Sequence, residues 1–358
     1  MKEEVLKESL GIDVSKDSLS LCLGVLKEDL AKEFIPREDV PNDKNGFKDI
    51  SRWLKQVSSN KRKPTVVMEA TGVYHESIAL YLHDLGYNVC VMQSGRVKSY
   101  AKSLDQRSKT DALDSKMLSM LGCERSLTQW SPPSISLQKL RALSRERSAL
   151  IRERSIEKNR NHAKLIASYT DKRAVKRYKQ RLKLLSDQIA EVELEMREVI
   201  EEDKEVKQKL AYMESIPGVS FVSAATVVAE TFGFAQIVNA KQLTSYAGYD
   251  VVIRESGNFQ GKTRISKKGN KHIRAVLHMP SMAAVRVNPT LSPFYNRLKP
   301  KKVKPIVALV AVQRKMLVLM YSLWKNNEYY DAEFEQKKAV KAEALTAQDR
   351  NKNEFVTS

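Results

Sequence analysis

Residues 9–25 read Ser9-Leu10-Gly11-Ile12-Asp13-Val14-Ser15-Lys16-Asp17-Ser18-Leu19-Ser20-Leu21-Cys22-Leu23-Gly24-Val25, and this stretch decides the fold class. Leu10 to Val14 is a short apolar strand carrying Asp13 at its end, and Ser18 to Val25 alternates apolar and polar residues. A third run, Leu30 to Ile35, follows after charged turn residues, so the three are close enough to form an antiparallel meander. The pattern then changes. A helix around Phe47 to Val57 leads to a buried strand, Thr65 to Met68, and a helix from about His75 to Leu85. The strand Asn88 to Met92 comes next, then helical segments around Val97 and from Asp111 to Leu121.

Three antiparallel strands followed by alternating helix and strand predict an α/β, RNase H-like domain over residues 1–130. Trp130-Ser131-Pro132-Pro133 closes it, because paired prolines cannot continue a helix. Residues 131–209 read as long helices. Leu137 to Ala167 is strongly basic, and beyond Val175 a heptad seam runs through Tyr178, Leu182, Leu185, Ile189, Val192, Met196 and Val199. Tyr169-Thr170-Asp171 is placed to turn one helix back on the other. Residues 210–331 read as a mainly helical third domain in which Ile306 to Leu323 is a core helix. The tail, 332–358, is polar and is expected to be disordered.

The 358 residues carry a formal net charge of +19, which points to nucleic acid, since Lys and Arg gain affinity by releasing counterions from phosphates. An anionic membrane surface competes less well, because the sequence reading finds neither an 18-residue apolar run nor a signal-peptide pattern. Cys22, Cys90 and Cys123 are too widely spaced for a disulfide framework or a zinc knuckle. A cytoplasmic, bacterial-type protein fits best.

Four carboxylates stand out. Asp13 and Glu69 end strands that an RNase H-like sheet makes neighbours, and Asp111 and Asp114, three apart, share a helix face. Converging carboxylates repel unless a cation holds them, and hard oxygen ligands suit Mg²⁺ (or Mn²⁺) rather than zinc. Taken singly, each acid is more often a cap or a surface charge than a ligand; Asp111 after Thr110 suits a helix start. Ser215-Ile216-Pro217-Gly218-Val219-Ser220 resembles the turn of a helix-hairpin-helix, or an ordinary helix-helix turn. Residues 254–263 look superficially like a phosphate-binding P-loop, but one residue is missing between Gly257 and Gly261, so that reading fails. What remains is Ser256, flanked by Gly257 and followed by Lys262, Arg264, Lys267 and Lys268. Cations around a serine favour attack on a phosphodiester. Those four cations, with Arg145 and Arg152 on the basic helix, are the expected nucleic-acid contacts.

The sequence resembles the DEDD transposases of bacterial insertion sequences, a family that includes bridge-RNA-guided and pilin-gene-inverting recombinases. The resemblance is carried by Gly11-Ile12-Asp13-Val14-Ser15-Lys16, Glu69-Ala70-Thr71-Gly72-Val73-Tyr74, Lys109-Thr110-Asp111-Ala112-Leu113-Asp114 and Ser215-Ile216-Pro217-Gly218. It continues through Tyr246-Ala247-Gly248, Glu255-Ser256-Gly257 and Ile265-Ser266-Lys267-Lys268-Gly269, in family order across residues 8–331. It implies a Holliday-junction-resolvase-like catalytic domain, a coiled coil and a C-terminal transposase domain. It further implies metal ligation by Asp13, Glu69, Asp111 and Asp114, and a transient phosphoserine link at Ser256, with Ser266 as the rival serine. The implied partners are donor and target DNA, a non-coding bridge RNA and further copies of the chain, as a dimer or, in synapsis, a tetramer. The unbroken seam predicts pairing with another helix, of the same chain if the preceding helix folds back or of another subunit, and the resemblance implies an active site shared between chains. A metal-dependent junction nuclease without a serine intermediate is the competing function, and a non-catalytic nucleic-acid binder the third.

Overall fold

The computed structural model describes residues 4–59, 63–105, 108, 110–166, 171–253, 255–257, 259–261, 263–301, 304–334 and 337. The chain divides into two compact units, Met1–Pro132 and Pro133–Ser358.

The first unit contains, in order, β1 (Val5–Val14), β2 (Ser18–Lys27), β3 (Lys32–Pro41), α1 (Lys44–Val57), β4 (Thr65–Glu69), α2 (Glu76–Asp84), β5 (Val89–Met92), α3 (Ser94–Ser103) and α4 (Asp111–Glu124). The sheet order is β3-β2-β1-β4-β5. The first three strands form an antiparallel meander, while β1, β4 and β5 run parallel. This mixed sheet is compatible with an RNase H-like domain. β3 runs later than expected, to Pro41, through Arg37-Glu38-Asp39. Those charges hid it from a hydrophobic reading, and they suit an edge strand that must not pair further.

Alternation along the strands assigns the two faces. Leu10, Ile12, Leu21, Leu23, Val66 and Met68 pack with Phe47, Ile50 and Leu54 of α1 and Ile78 and Leu82 of α2. On the other face Val67, Cys90 and Met92 pack with Val97 of α3 and Met117, Leu118 and Leu121 of α4. That second face is built from small residues under α4. A Cβ on Gly11 would lie 2.0 Å from the Ser115 carbonyl oxygen, and one on Gly122 would lie 1.9 Å from the Ser9 Oγ. α4 therefore sits directly on β1 and runs antiparallel to it, Gly122 over Ser9 and Ser115 over Gly11.

The second unit contains α5 (Ile135–Ile166), α6 (Lys172–Glu202), α7 (Lys204–Glu214), α8 (Phe221–Thr231) and α9 (Ala240–Ala247). Four two-residue strands follow: β6 (Val251–Val252), β7 (Glu255–Ser256), β8 (Phe259–Gln260) and β9 (Arg264–Ile265). The unit ends with α10 (Lys271–Val276), α11 (His278–Val287), α12 (Leu291–Leu298) and α13 (Pro305–Asn326). α5 and α6 pack side by side along their length. The turn expected at Tyr169-Thr170 falls outside the described residues, but Asp171 caps α6, accepting from the Arg173 and Ala174 amides.

The heptad seam thus has its partner in the same chain. Tyr178, Leu185, Ile189, Val192 and Met196 are buried, and the seam no longer calls for a helix from another subunit. Leu137, Leu140 and Met196 of the hairpin share one core with Leu210, Met213, Val228 and Met316, so residues 133–209 and the helices after them form a single unit. The seam lies wholly within α6, and Asp203, accepting from the Val206 amide, starts α7 directly after it.

α13 corrects the reading that no long apolar run exists: by length and composition it is long enough to cross a membrane. Val312, Met316, Leu317, Met320 and Leu323 pack in the core of the second unit, as the core-helix expectation required. Of the tail expected to be disordered, only residues 332–334 and 337 are described.

Candidate active site

β1 and β4 are paired in parallel through Ile12 and Met68, so the next residues, Asp13 and Glu69, stand side by side where the two strands end. Both follow the alternation onto the α4 face. Because α4 runs antiparallel to β1, its first turn lies over this same end of the sheet, and that turn carries Asp111 and Asp114. Thr110 starts the helix by accepting from the Leu113 amide, and acids in a first turn are stabilised by the positive end of the helix dipole. The four expected carboxylates are thus brought to one end of one face. They are not drawn into a closed cage: among the described residues no three His, Cys, Asp or Glu side chains form a ready-made metal cluster.

The donor set fits a hard divalent ion, consisting only of carboxylates on strand ends and a helix start. Asp13, Glu69 and Asp114 are half-buried, while Asp111 is exposed. Asn42 joins the two loops that flank the acids: its Nδ2 donates to the Ser15 carbonyl at 2.9 Å and to the Tyr74 carbonyl at 3.1 Å. Sequence reasoning missed Asn42, since a lone Asn before a helix reads only as a turn residue. The three cysteines are buried. Burial pushes the thiols of Cys90 and Cys123 up to about 11, which leaves both protonated and inert at neutral pH.

In the second unit Ser256 lies on a short β-ribbon, exposed, with Glu255 opposite Gln260 and Ser256 opposite Phe259. Gly257 turns the ribbon at a φ of 54°, a left-handed conformation that glycine adopts without a steric penalty. The P-loop-like stretch thus holds the β7–β8 ribbon, with the paired strands β6 and β9 on either side of it, consistent with rejecting the nucleotide-binding reading. Lys262 lies outside the described residues. Arg264, Lys267 and Lys268 are exposed, and with Val252, Ile265 and Ser266 they line a groove of about 460 Å³. The rival Ser266 is half-buried and engaged: its amide donates to the Asp250 carbonyl at 2.8 Å, and its Oγ accepts from the Lys268 amide at 3.3 Å.

The basic loop is anchored from beneath by Glu230, a fully buried carboxylate on α8. Arg145 grips it with two hydrogen bonds of 2.8 and 3.1 Å, and Asn270 donates to it at 2.6 Å. The Asn270 amide in turn donates to the Tyr246 carbonyl at 2.7 Å, and the Tyr246 hydroxyl donates to the Glu230 carbonyl at 2.7 Å. Burial alone would raise the Glu230 pKa, but the hydrogen bonds from Arg145 and Asn270 and the charges of Arg145 and Arg141 outweigh it and hold the carboxyl below its usual range. Arg145, expected to meet nucleic acid, is thus engaged by Glu230, whereas Arg152 on the same helix is exposed. The signal for Glu230 was present, as a single charge inside the apolar run Phe221–Thr231. The hairpin turn at 215–220 is also packed internally. A Cβ on Gly218 would lie 2.7 Å from the Ala284 amide nitrogen, and the Pro217 carbonyl accepts from the Asn288 side chain at 3.3 Å.

The α/β unit thus carries carboxylates at two strand ends and a helix start, and the helical unit carries an exposed serine and a groove lined by cations. Residues 10–170 match the family model of the DEDD transposases, described as "Transposase". Residues 210–296 match a model described as "Transposase IS116/IS110/IS902 family". The chain is 26% identical over 329 residues to the "Pilin gene-inverting protein" of Moraxella bovis, covering 91% of this chain and 98% of that one. It is 24% identical over 305 residues to the "Transposase for insertion sequence element IS1111A" of Coxiella burnetii, covering 77% and 78%. The chain belongs to the DEDD transposases of the IS110 family of bacterial insertion sequences, and is a DNA transposase or recombinase.

Proposed function

We propose that this transposase breaks and rejoins DNA in the cytoplasm with two sets of groups: the four carboxylates of an RNase H-like first unit and the serine of the second. Asp13, Glu69, Asp111 and Asp114 would hold Mg²⁺ or Mn²⁺, which when bound would supply stabilisation of charge on the reacting phosphate and activation of an attacking hydroxyl. The Ser256 Oγ attacks phosphorus, so that an Oγ–P bond forms as the P–O bond to one sugar breaks. The serine proton passes to solvent and the departing sugar oxygen takes one up. A sugar hydroxyl of the second DNA then attacks the phosphoserine, restores a phosphodiester and releases the serine. Ser256 is favoured over Ser266 because it is exposed on an open turn, whereas Ser266 is tied into its own loop.

The observation that carries this reading is the gathering of Asp13, Glu69 and the first turn of α4 at one end of the sheet. The chain works as a homo-oligomer on donor and target DNA, guided by a non-coding RNA. The +19 charge and the exposed Arg152, Arg264, Lys267 and Lys268 support that polyanionic partnership. One strand-cleavage assay with the natural protein and element ends tests the whole proposal. Asp111→Asn and excess chelator are each expected to lower cleavage by about a hundredfold or more, equivalent to about 3 kcal/mol of barrier, with DNA binding retained. Ribonuclease treatment is expected to abolish recombination until the element's own RNA is restored. Full cleavage in chelator removes the metal reading, and recombination by RNA-free protein removes guidance.

A further inference from the structure

The ribbon that carries Ser256 also displays a bare aromatic ring. Phe259 is 63% exposed, although it is one of the larger apolar side chains in the chain. It pairs directly with Ser256 across an antiparallel ladder only two residues long. Directly opposed residues point to the same face, with Cβ atoms about 4.5–5.5 Å apart. The Phe259 ring and the Ser256 hydroxyl therefore share one face of the ribbon. Nothing lies within 4 Å of where a Cβ on Gly257 would sit, so the tip is open. A two-stranded ribbon of this size is marginal on its own in water. An aromatic ring left in solvent there gives up burial that elsewhere stabilises the fold.

We infer that Phe259 is a stacking platform for an unpaired DNA base next to the phosphate that Ser256 attacks. The placement beside that phosphate rests on the reading of Ser256 as nucleophile; the stacking itself does not. Charge identifies the occupant. The exposed cations Arg264, Lys267, Lys268 and Lys271 that follow the ribbon in the chain outnumber its one exposed acid, Glu255, so the field draws in a polyanion, and the apolar surfaces of DNA are its base faces. An apolar protein partner gains nothing from those cations. Stacking on Phe259 orders the ribbon only when DNA is present, which brings the serine into register with the neighbouring phosphate. Because every base has a π-face, this contact fixes position without selecting sequence.

The test uses the full-length protein in excess chelator, so that cleavage plays no part, with a single-stranded pyrimidine oligonucleotide carrying one 5-iododeoxyuridine. Irradiation is expected to join the probe to the peptide containing Phe259. Phe259→Ala is expected to lose that adduct and weaken binding roughly 5- to 150-fold, the range for loss of one stacked base. Phe259→Tyr is expected to retain both, whereas Phe259→Leu, which keeps apolar bulk without a ring face, recovers neither. Ser256→Ala is expected to cross-link like the unaltered protein, which separates failure of this inference from failure of the nucleophile reading. Unchanged affinity in Phe259→Ala with no adduct near residue 259 overturns the proposal. So does an adduct formed only with the matching RNA probe, or a change confined to the oligomeric state.

Discussion

Glycine at position 11 is where the sequence exerts its tightest control over the site. Gly11 has no room for a Cβ beneath Ser115 and Ser119, and Gly122 has none over Ser9. These contacts let the backbone of α4 lie on the sheet, and the lie of α4 carries Asp111 and Asp114 to the end where Asp13 and Glu69 stand. Gly11→Ala is expected to destabilise the first unit by about 1–3 kcal/mol through overpacking. Strand cleavage is expected to fall further than stability explains, roughly a hundredfold, because the acids shift relative to one another. Urea denaturation read beside cleavage rates checks both; unaltered cleavage by a folded Gly11→Ala protein contradicts the link. The position of the acids at strand ends and a helix start was legible, because alternation and spacing reveal where elements end. The need for Gly11 was not, because close helix-sheet approach is a tertiary fact.

Helix pairing shows the same limit at the scale of elements. The seam of α6 specified that some helix packs on it but not whose, and α5 of the same chain fills the place. Ile189→Ala is accordingly expected to destabilise the second unit by about 2–5 kcal/mol with loss of helical signal, and not simply to dissociate an assembly. Circular dichroism during denaturation distinguishes the two, as the loss should not depend on protein concentration. The small strands β6–β9 went unread because two residues are too few to show alternation.

Glu230 links three elements: α8, which carries it, α5 through Arg145, and the start of α10 through Asn270. Removing the charge leaves Arg145 and Arg141 facing a buried neutral side chain. Glu230→Gln is expected to lose about 3–5 kcal/mol at neutral pH. The folded carboxyl titrates below its ordinary value of 4.5, so its contribution is fully present above that value and is lost as the pH falls through the lower folded pKa. Stability measured from neutral pH down into that acid window should fall more steeply in the natural protein than in Glu230→Gln. Parallel profiles contradict the network.

For the molecule as a whole, charge and family agree. A net charge of +19 is suited to a chain whose relatives include insertion-sequence transposases and a pilin gene-inverting protein. An α/β first unit and a nucleic-acid partner were legible from element order and charge, while DNA in particular followed from the family resemblance. What composition does not express is which groups do the chemistry, because a serine in a turn has the same sequence signature whether or not it reacts. The most direct measurement is therefore of the covalent intermediate. Full-length protein, its RNA and labelled element ends are mixed with Mg²⁺, quenched in denaturant, and the modified peptide is mapped. The account predicts a protein–DNA adduct on Ser256 that is absent from Ser256→Ala and from Asp13→Asn and persists in Ser266→Ala. Cleavage that proceeds with no adduct, or an adduct on Ser266, would contradict it.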